Sequence, residues 1–211
     1  MYKLFLSAGS AGMAPHAALE EIGAAYEVVL VDTEKGEHRS PAYLKLNPNG
    51  RVPTLLDGDA AMFESAAIML YLAGKHPAAG LAPAVGTRAH MLFCQWLMYL
   101  TNTVQEAFMQ YYYPERSAAA PGASAEVKAN AEKRLEAMWT VIDGGLGKSG
   151  PYLAGAAFSG ADLYLHMLSR WSRGCANPAW THRRIRALLD QVKARPAVVR
   201  MMAQENLAEP F

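Results

Sequence analysis

Three short segments carry the residue types and spacings that could do chemistry. Gly9-Ser10-Ala11-Gly12 lies between an extended stretch and the start of a helix. Its amides and the helix N-terminus favour an anion, and Ser10 adds a hydroxyl donor. Arg51-Val52-Pro53 precedes another extended stretch. A proline here is expected in cis, which turns the Val52 backbone outward as an edge for an extended peptide. Glu64-Ser65 opens a second helix, where the Ser65 hydroxyl and amides suit a carboxylate and Glu64 suits an ammonium. Each segment also has a plainer reading: Ser10 as a loop or capping residue, Pro53 as a requirement of the fold, and Glu64-Ser65 as a helix start with favourable dipole charge.

The elements that must hold these segments alternate over the first 78 residues. Residues 2–6 read as a strand, a helix starts near Pro15 and stops at Gly23, and the β-rich run 26–31 reads as a second strand. A helix inside that connection makes the two strands parallel. Ser40-Pro41 opens a short helix, and Asn47-Pro48-Asn49-Gly50 is turn chemistry. Residues 54–56 and 60–63 flank the hairpin signal Asp57-Gly58-Asp59, and a helix follows over 65–75. This order, βαβ, a short helix, then ββα, matches a thioredoxin-like α/β domain over 1–78. Such domains work through sulfur, yet no cysteine occurs before Cys94, so any thiol must arrive with a ligand. The three segments together call for a small peptide with an amino-acid head group, a central amide and a thiol.

Residues 76–86 hold two prolines and two glycines and read as a linker. Everything after it reads helical, giving an all-α domain over 87–211. Residues 88–113 form one long segment closed by Pro114, and a second runs over 125–144. Ser159-Gly160-Ala161-Asp162 has the form of a capping box with Asp in the usual Glu position, and two last helices fit 181–194 and 196–204.

Composition narrows the function classes. The 211 residues are 52% hydrophobic and 18% charged, with 20 Lys+Arg against 19 Asp+Glu. That excludes the disordered class and supplies no basic field for nucleic acid. The apolar stretch at the N-terminus is too short for a signal peptide, and no apolar run approaches the roughly 18 residues of a membrane span. A cytoplasmic protein without membrane association is expected. Cys94 and Cys175 read as small buried hydrophobes, which fits a reducing compartment. His16, His90 and His166 are isolated on helices without metal-ligand spacing; they read as packing or surface residues, and no metal is expected.

Asn47-Pro48-x-Gly50-x-Val52-Pro53, Glu64-Ser65 and Ser159-x-x-Asp162, in that order, resemble the soluble glutathione transferases over essentially the full length. The resemblance implies that glutathione is the co-substrate and that the chain is a homodimer. It implies that Val52 and Pro53 present the backbone that pairs with the cysteinyl residue, and that Glu64 and Ser65 take the γ-glutamyl end. Lys35 and Arg51, then His38, are the candidates for the glycine carboxylate. Ala14-Pro15-His16-x-Ala18-Leu19 and Leu168-Ser169-Arg170-Trp171 resemble the bacterial beta class. The cysteine of that class falls on Ala11, and no tyrosine stands at the end of the first strand. Gly9-Ser10-Ala11 is closer to the serine loop of theta-like classes. Ser10 is therefore the expected thiol activator. Trp171 matches an aromatic of the beta-class pocket, and Met13, Met109 and Tyr112 are placed beside it to receive a small hydrophobic electrophile. The implied activity is thiol transfer to that electrophile, with glutathione-dependent peroxide or disulfide reduction, or non-catalytic binding, as alternatives.

Overall fold

The computed structural model describes residues 1–120 and 122–208. They fall into two compact units: Met1–Ala82 together with the segment from Lys193 onward, and Pro83–Val192.

The first unit is built on a four-stranded sheet in the order β2-β1-β3-β4. Strand β1 (Tyr2–Leu6) runs parallel to β2 (Tyr26–Leu30) and antiparallel to β3 (Thr54–Asp57), which pairs antiparallel with β4 (Ala60–Phe63). Leu4 and Leu6 of β1 and Leu55 of β3 point into the core at 0–1% exposure, as the period-2 alternation requires. Helix α1 (Met13–Ile22) makes the crossover between the parallel strands, α2 (Pro41–Leu44) is one capped turn, and α3 (Ser65–Lys75) follows β4. The thioredoxin-like reading of the first domain holds in its element order and its pairing.

The second unit is helical. Helix α4 (Arg88–Tyr99) passes through a π-helical segment, Leu100–Val104, into α5 (Gln105–Tyr112), so the single long helix expected over 88–113 is interrupted by wider turns. The Tyr164 hydroxyl bridges that segment, donating to Gln105 Oε1 and lying 3.1 Å from the Thr101 hydroxyl. Helix α6 (Ser124–Ser149) runs past the stop expected at Gly144. A Cβ at Gly145 would lie 2.2 Å from the Trp96 indole, so this glycine permits a close helix approach and does not end the helix.

Helix α7 (Gly160–Trp171) is buried along its whole length. Its capping box is present: the Ser159 N–H and hydroxyl donate to Asp162 Oδ2 at 2.8 and 3.1 Å, and the Leu153 N–H donates to Oδ1 at 2.9 Å. Complete burial nevertheless raises the Asp162 carboxyl to about 6. Helix α8 (Arg183–Lys193) takes its first amides to Asp143, Arg184 N–H at 2.7 Å and Ile185 N–H at 3.2 Å.

Helix α9 (Pro196–Gln204) differs from the expected domain division, because it packs on α1 in the first unit. The reason is electrostatic and steric together. Arg195 forks onto Glu21, while Arg200 and Gln204 both reach Glu20. Val198 and Met201 supply a buried face at 1% exposure. Among the described residues, no helix is long and apolar enough to cross a membrane.

Candidate active site

Sheet register gathers the three segments. Phe5 on β1, Thr54 on β3 and Phe63 on β4 form one row. One step further lie the end of β1 with its loop, the Val52-Pro53 entry to β3, and the β4 exit at Glu64. Because β1 and β4 run one way and β3 the other, all three lie at the same end of the sheet. Neighbouring strands are about 4.8 Å apart, so the segments are spaced over about 10 Å.

In the first loop, Ser10 is half-buried and its backbone closes two turns, Ser10 N–H to Ser7 O and Met13 N–H to Ser10 O, both 3.1 Å. Its Oγ accepts the Gly12 N–H at 3.2 Å, closing a local side-chain turn ahead of α1. The hydroxyl proton is left to donate outward. The Ala11 N–H has no acceptor among the described residues. The loop thus presents one hydroxyl and one amide as adjacent donors. Gly12 holds it against the sheet: a Cβ there would lie 2.5 Å from Leu6 Cβ.

The Val52-Pro53 peptide is cis, as expected. Tyr43 Oη and Asn47 Nδ2 donate to Arg51 O at 2.7 and 2.8 Å, and Tyr43 Oη also lies 2.9 Å from Thr54 Oγ1, so the turn before the cis bond is tied from behind. Neither the N–H nor the C=O of Val52 has a protein partner among the described residues. That is an open backbone edge of the kind an extended peptide pairs with.

Glu64 adopts φ 72°, ψ 105°, a left-handed backbone that costs an ordinary residue about 1–3 kcal/mol. Its carboxylate is exposed and makes no ion pair or hydrogen bond among the described residues. Its carbonyl accepts the Ile68 N–H at 2.9 Å and opens α3, whose first residue, Ser65, is 4% exposed.

The candidates for a terminal carboxylate separate. Arg51 is exposed and its guanidinium has no partner among the described residues. Lys35 is ion-paired with Asp32 at 2.9 Å, which raises the ammonium and lowers the carboxyl. His38 is half-buried with Nδ1 enclosed and unbonded. Arg39, which only the charged run 32–39 marks in the sequence, lies against Gly50 with Nη1 3.5 Å from Asn49 O.

The residues placed around an electrophile divide as well. Met13 is fully buried, so its side chain offers no surface to a ligand. Tyr112 and Trp171 meet in the helical unit: the Tyr112 hydroxyl donates to Trp171 O, and both rings lie against Phe108, with centroids 6.1 and 5.8 Å away. Tyr112 stays 39% exposed, and Met109, one turn earlier, is half-buried. His16 falls on the packing side of its expectation: it is fully buried and bonded through both ring nitrogens. Both cysteines are free thiols; Cys94 is part-exposed, and Cys175 is buried and raised to about 11 by desolvation. Among the described residues, no group of three or more His, Cys, Asp or Glu side chains is placed to hold a metal.

Known proteins resolve what this arrangement belongs to. Residues 2–74 match the family described as glutathione S-transferase, N-terminal domain. Glutathione S-transferase F9 of Arabidopsis thaliana is 34% identical over 187 residues, covering 85% of this chain and 86% of that protein. The chain belongs to the glutathione S-transferase family. Among solved structures, a glutathione transferase homologue from Sulfitobacter with bound glutathione superposes with a TM-score of 0.89 at 29% identity, over 97% of this chain and 98% of that one. A bacterial beta class glutathione S-transferase from Sphingomonas chungbukensis gives 0.84 at 32% identity, over 98% and 100%. Both span the thioredoxin-like and helical parts of this transferase.

Proposed function

We propose that this chain binds glutathione at the open end of its sheet and activates the thiol for attack on small hydrophobic electrophiles. The observation that carries the reading is the row Phe5, Thr54, Phe63, which aligns the Ser10 loop, the unpaired Val52 edge and Glu64-Ser65 at one end of the sheet. Their span of about two strand spacings, near 10 Å, equals the reach of an extended tripeptide at about 3.3–3.6 Å per residue. In this reading Glu64 and Ser65 hold the γ-glutamyl ammonium and carboxylate. The Val52 backbone pairs with the cysteinyl residue, and Arg51 takes the glycine carboxylate, with Lys35 and His38 secondary. Ser10 Oγ and the Ala11 N–H then donate to the sulfur.

A free thiol near 8.5 is only a few per cent ionised at neutral pH. Lowering it by two units takes about 2.7 kcal/mol, within the reach of one or two charge-assisted hydrogen bonds of about 1.5–3 kcal/mol each. The thiol proton leaves to solvent, the sulfur forms the new bond to the electrophilic atom, and the leaving group departs with its electron pair. Met109 and Tyr112 offer the accessible part of an apolar platform for the electrophile, with Trp171 buried against the same Phe108 ring as Tyr112. The reading places the enzyme in the cytoplasm as a homodimer.

The test is a thermal melt with glutathione added at several millimolar. If free ligand stands about 100-fold above its dissociation constant, stabilisation is about 2.7 kcal/mol, a rise of roughly 5–11 °C for a chain of this size. No shift in a folded protein refutes the binding site, and binding without conjugation of aryl halides refutes the transfer reaction.

A further inference from the structure

A buried histidine–glutamate pair outside the ligand-facing residues grips the Ser10 loop from the far end of the chain. Glu205, just after α9, uses both carboxylate oxygens: Oε2 accepts the Gly9 N–H and Oε1 accepts from His16 Nδ1, each at 2.8 Å. The two side chains are 1% and 0% exposed. His16 Nε2 faces Gln204 Oε1 at 3.0 Å and Tyr26 Oη at 3.1 Å. The Gln204 amide is oriented by its own Nε2 donating to Glu20 Oε1 at 2.7 Å, and the Tyr26 hydroxyl is committed to Glu20. The His16 ring is thus held from both sides, Nδ1 against Glu205 and Nε2 against two oxygen-bearing side chains. The charged groups around the pair are Glu20 on α1 and Arg200 on α9, which neutralise each other.

A buried polar pair of this kind is better explained by what it positions than by net stability. We infer that Glu205 is a positioning residue for thiol activation: it fixes Gly9, and through it the donors of Ser10 and Ala11, while His16 holds its other carboxylate oxygen. The role of α9 follows: its arginines dock it on α1, and that docking delivers Glu205 to the loop. The inference rests on the reading of the Ser10 loop as the thiolate holder.

The experiment follows three signals in the full chain: the Gly9 amide resonance, the pH midpoint of bound-glutathione ionisation by ultraviolet absorbance, and kcat and KM measured separately. In Glu205→Ala the Gly9 resonance moves, the midpoint rises by about one unit, and kcat at neutral pH falls about tenfold and recovers in alkali, while KM for glutathione stays within about threefold. Glu205→Gln keeps an oxygen for Gly9 and stays within about threefold of wild type in kcat. Arg200→Gln, which loosens α9 without touching Gly9 or His16, lowers the melting temperature and leaves the midpoint in place. If Glu205→Ala does not fold, Glu205→Asp is held to the same criteria. The inference is overturned if the midpoint and kcat stay at wild-type values while the Gly9 resonance has moved. It is equally overturned if Glu205→Gln loses as much as Glu205→Ala with Gly9 still in place. A wild-type protein showing no bound thiolate refutes the functional reading itself; a thiolate unaffected by Ser10→Ala but raised by Glu205→Ala removes the Ser10 role and keeps the positioning.

Discussion

Replacing Ser10 by alanine removes two interactions that the structure allows to be separated. The first is the local turn: Oγ accepts the Gly12 N–H at 3.2 Å, and losing such a hydrogen bond costs about 1 kcal/mol, or about 2–4 °C in melting temperature. The second is the proposed bond to the sulfur anion, worth about 1.5–3 kcal/mol, or about 1–2 pH units in thiol ionisation. A bound thiol moved from about 6.5 to about 8.5 falls from about three quarters ionised to about 3% at neutral pH, so kcat drops about 25-fold. The deficit closes as pH rises through the new midpoint. Ser10→Asp isolates the two contributions, since a carboxylate accepts the Gly12 N–H as a hydroxyl does but repels a thiolate: stability is kept and activity is lost. The assay is steady-state conjugation of an aryl halide across pH beside a calorimetric melt. If Ser10→Ala melts a few degrees lower with kcat and its pH midpoint unchanged, Ser10 is a turn residue only and has no part in holding the thiolate.

Glu64→Gly relieves the left-handed backbone at φ 72° and raises the melting temperature by about 2–4 °C, while the glutathione dissociation constant rises more than about tenfold because an ammonium is left unpaired; titration calorimetry and a melt on one sample check both. Gly12→Ala forces a Cβ to within 2.5 Å of Leu6 Cβ, an overpacking that costs about 1–3 kcal/mol and lowers kcat by displacing the adjacent Ser10. A variant with wild-type melting and turnover would show that the loop has slack. Asp162, raised to about 6 when folded against about 3.9 unfolded, holds its proton more tightly in the native state. Its contribution is present below about pH 4 and is lost as pH climbs through 6, so stability falls across that window, and the slope disappears in Asp162→Asn.

Local pattern announces what depends on neighbours in sequence. The alternation in β1, the turn residues at 47–50, the Asp57-Gly58-Asp59 hairpin and the Ser159–Asp162 box each state their conformation within a few residues, and all four are present. Ser10, Val52-Pro53 and Glu64-Ser65 were legible as a set because each sits at an element boundary, where backbone groups go unpaired. Packing over long separations decided the rest. Met13 falls in the enclosed interior, Lys35 is taken by Asp32, and Gly145 serves the Trp96 ring across two helices. The largest difference is the last helix: nothing in residues 193–208 says which unit it joins, and the matching of Arg195 and Arg200 to Glu21 and Glu20 answers only when both surfaces have formed. That docking brings Glu205 to Gly9, 196 positions away in sequence. A hydrogen bond over that separation has no periodic trace in the chain, because its geometry is set by the fold between the two residues and not by the residues beside them.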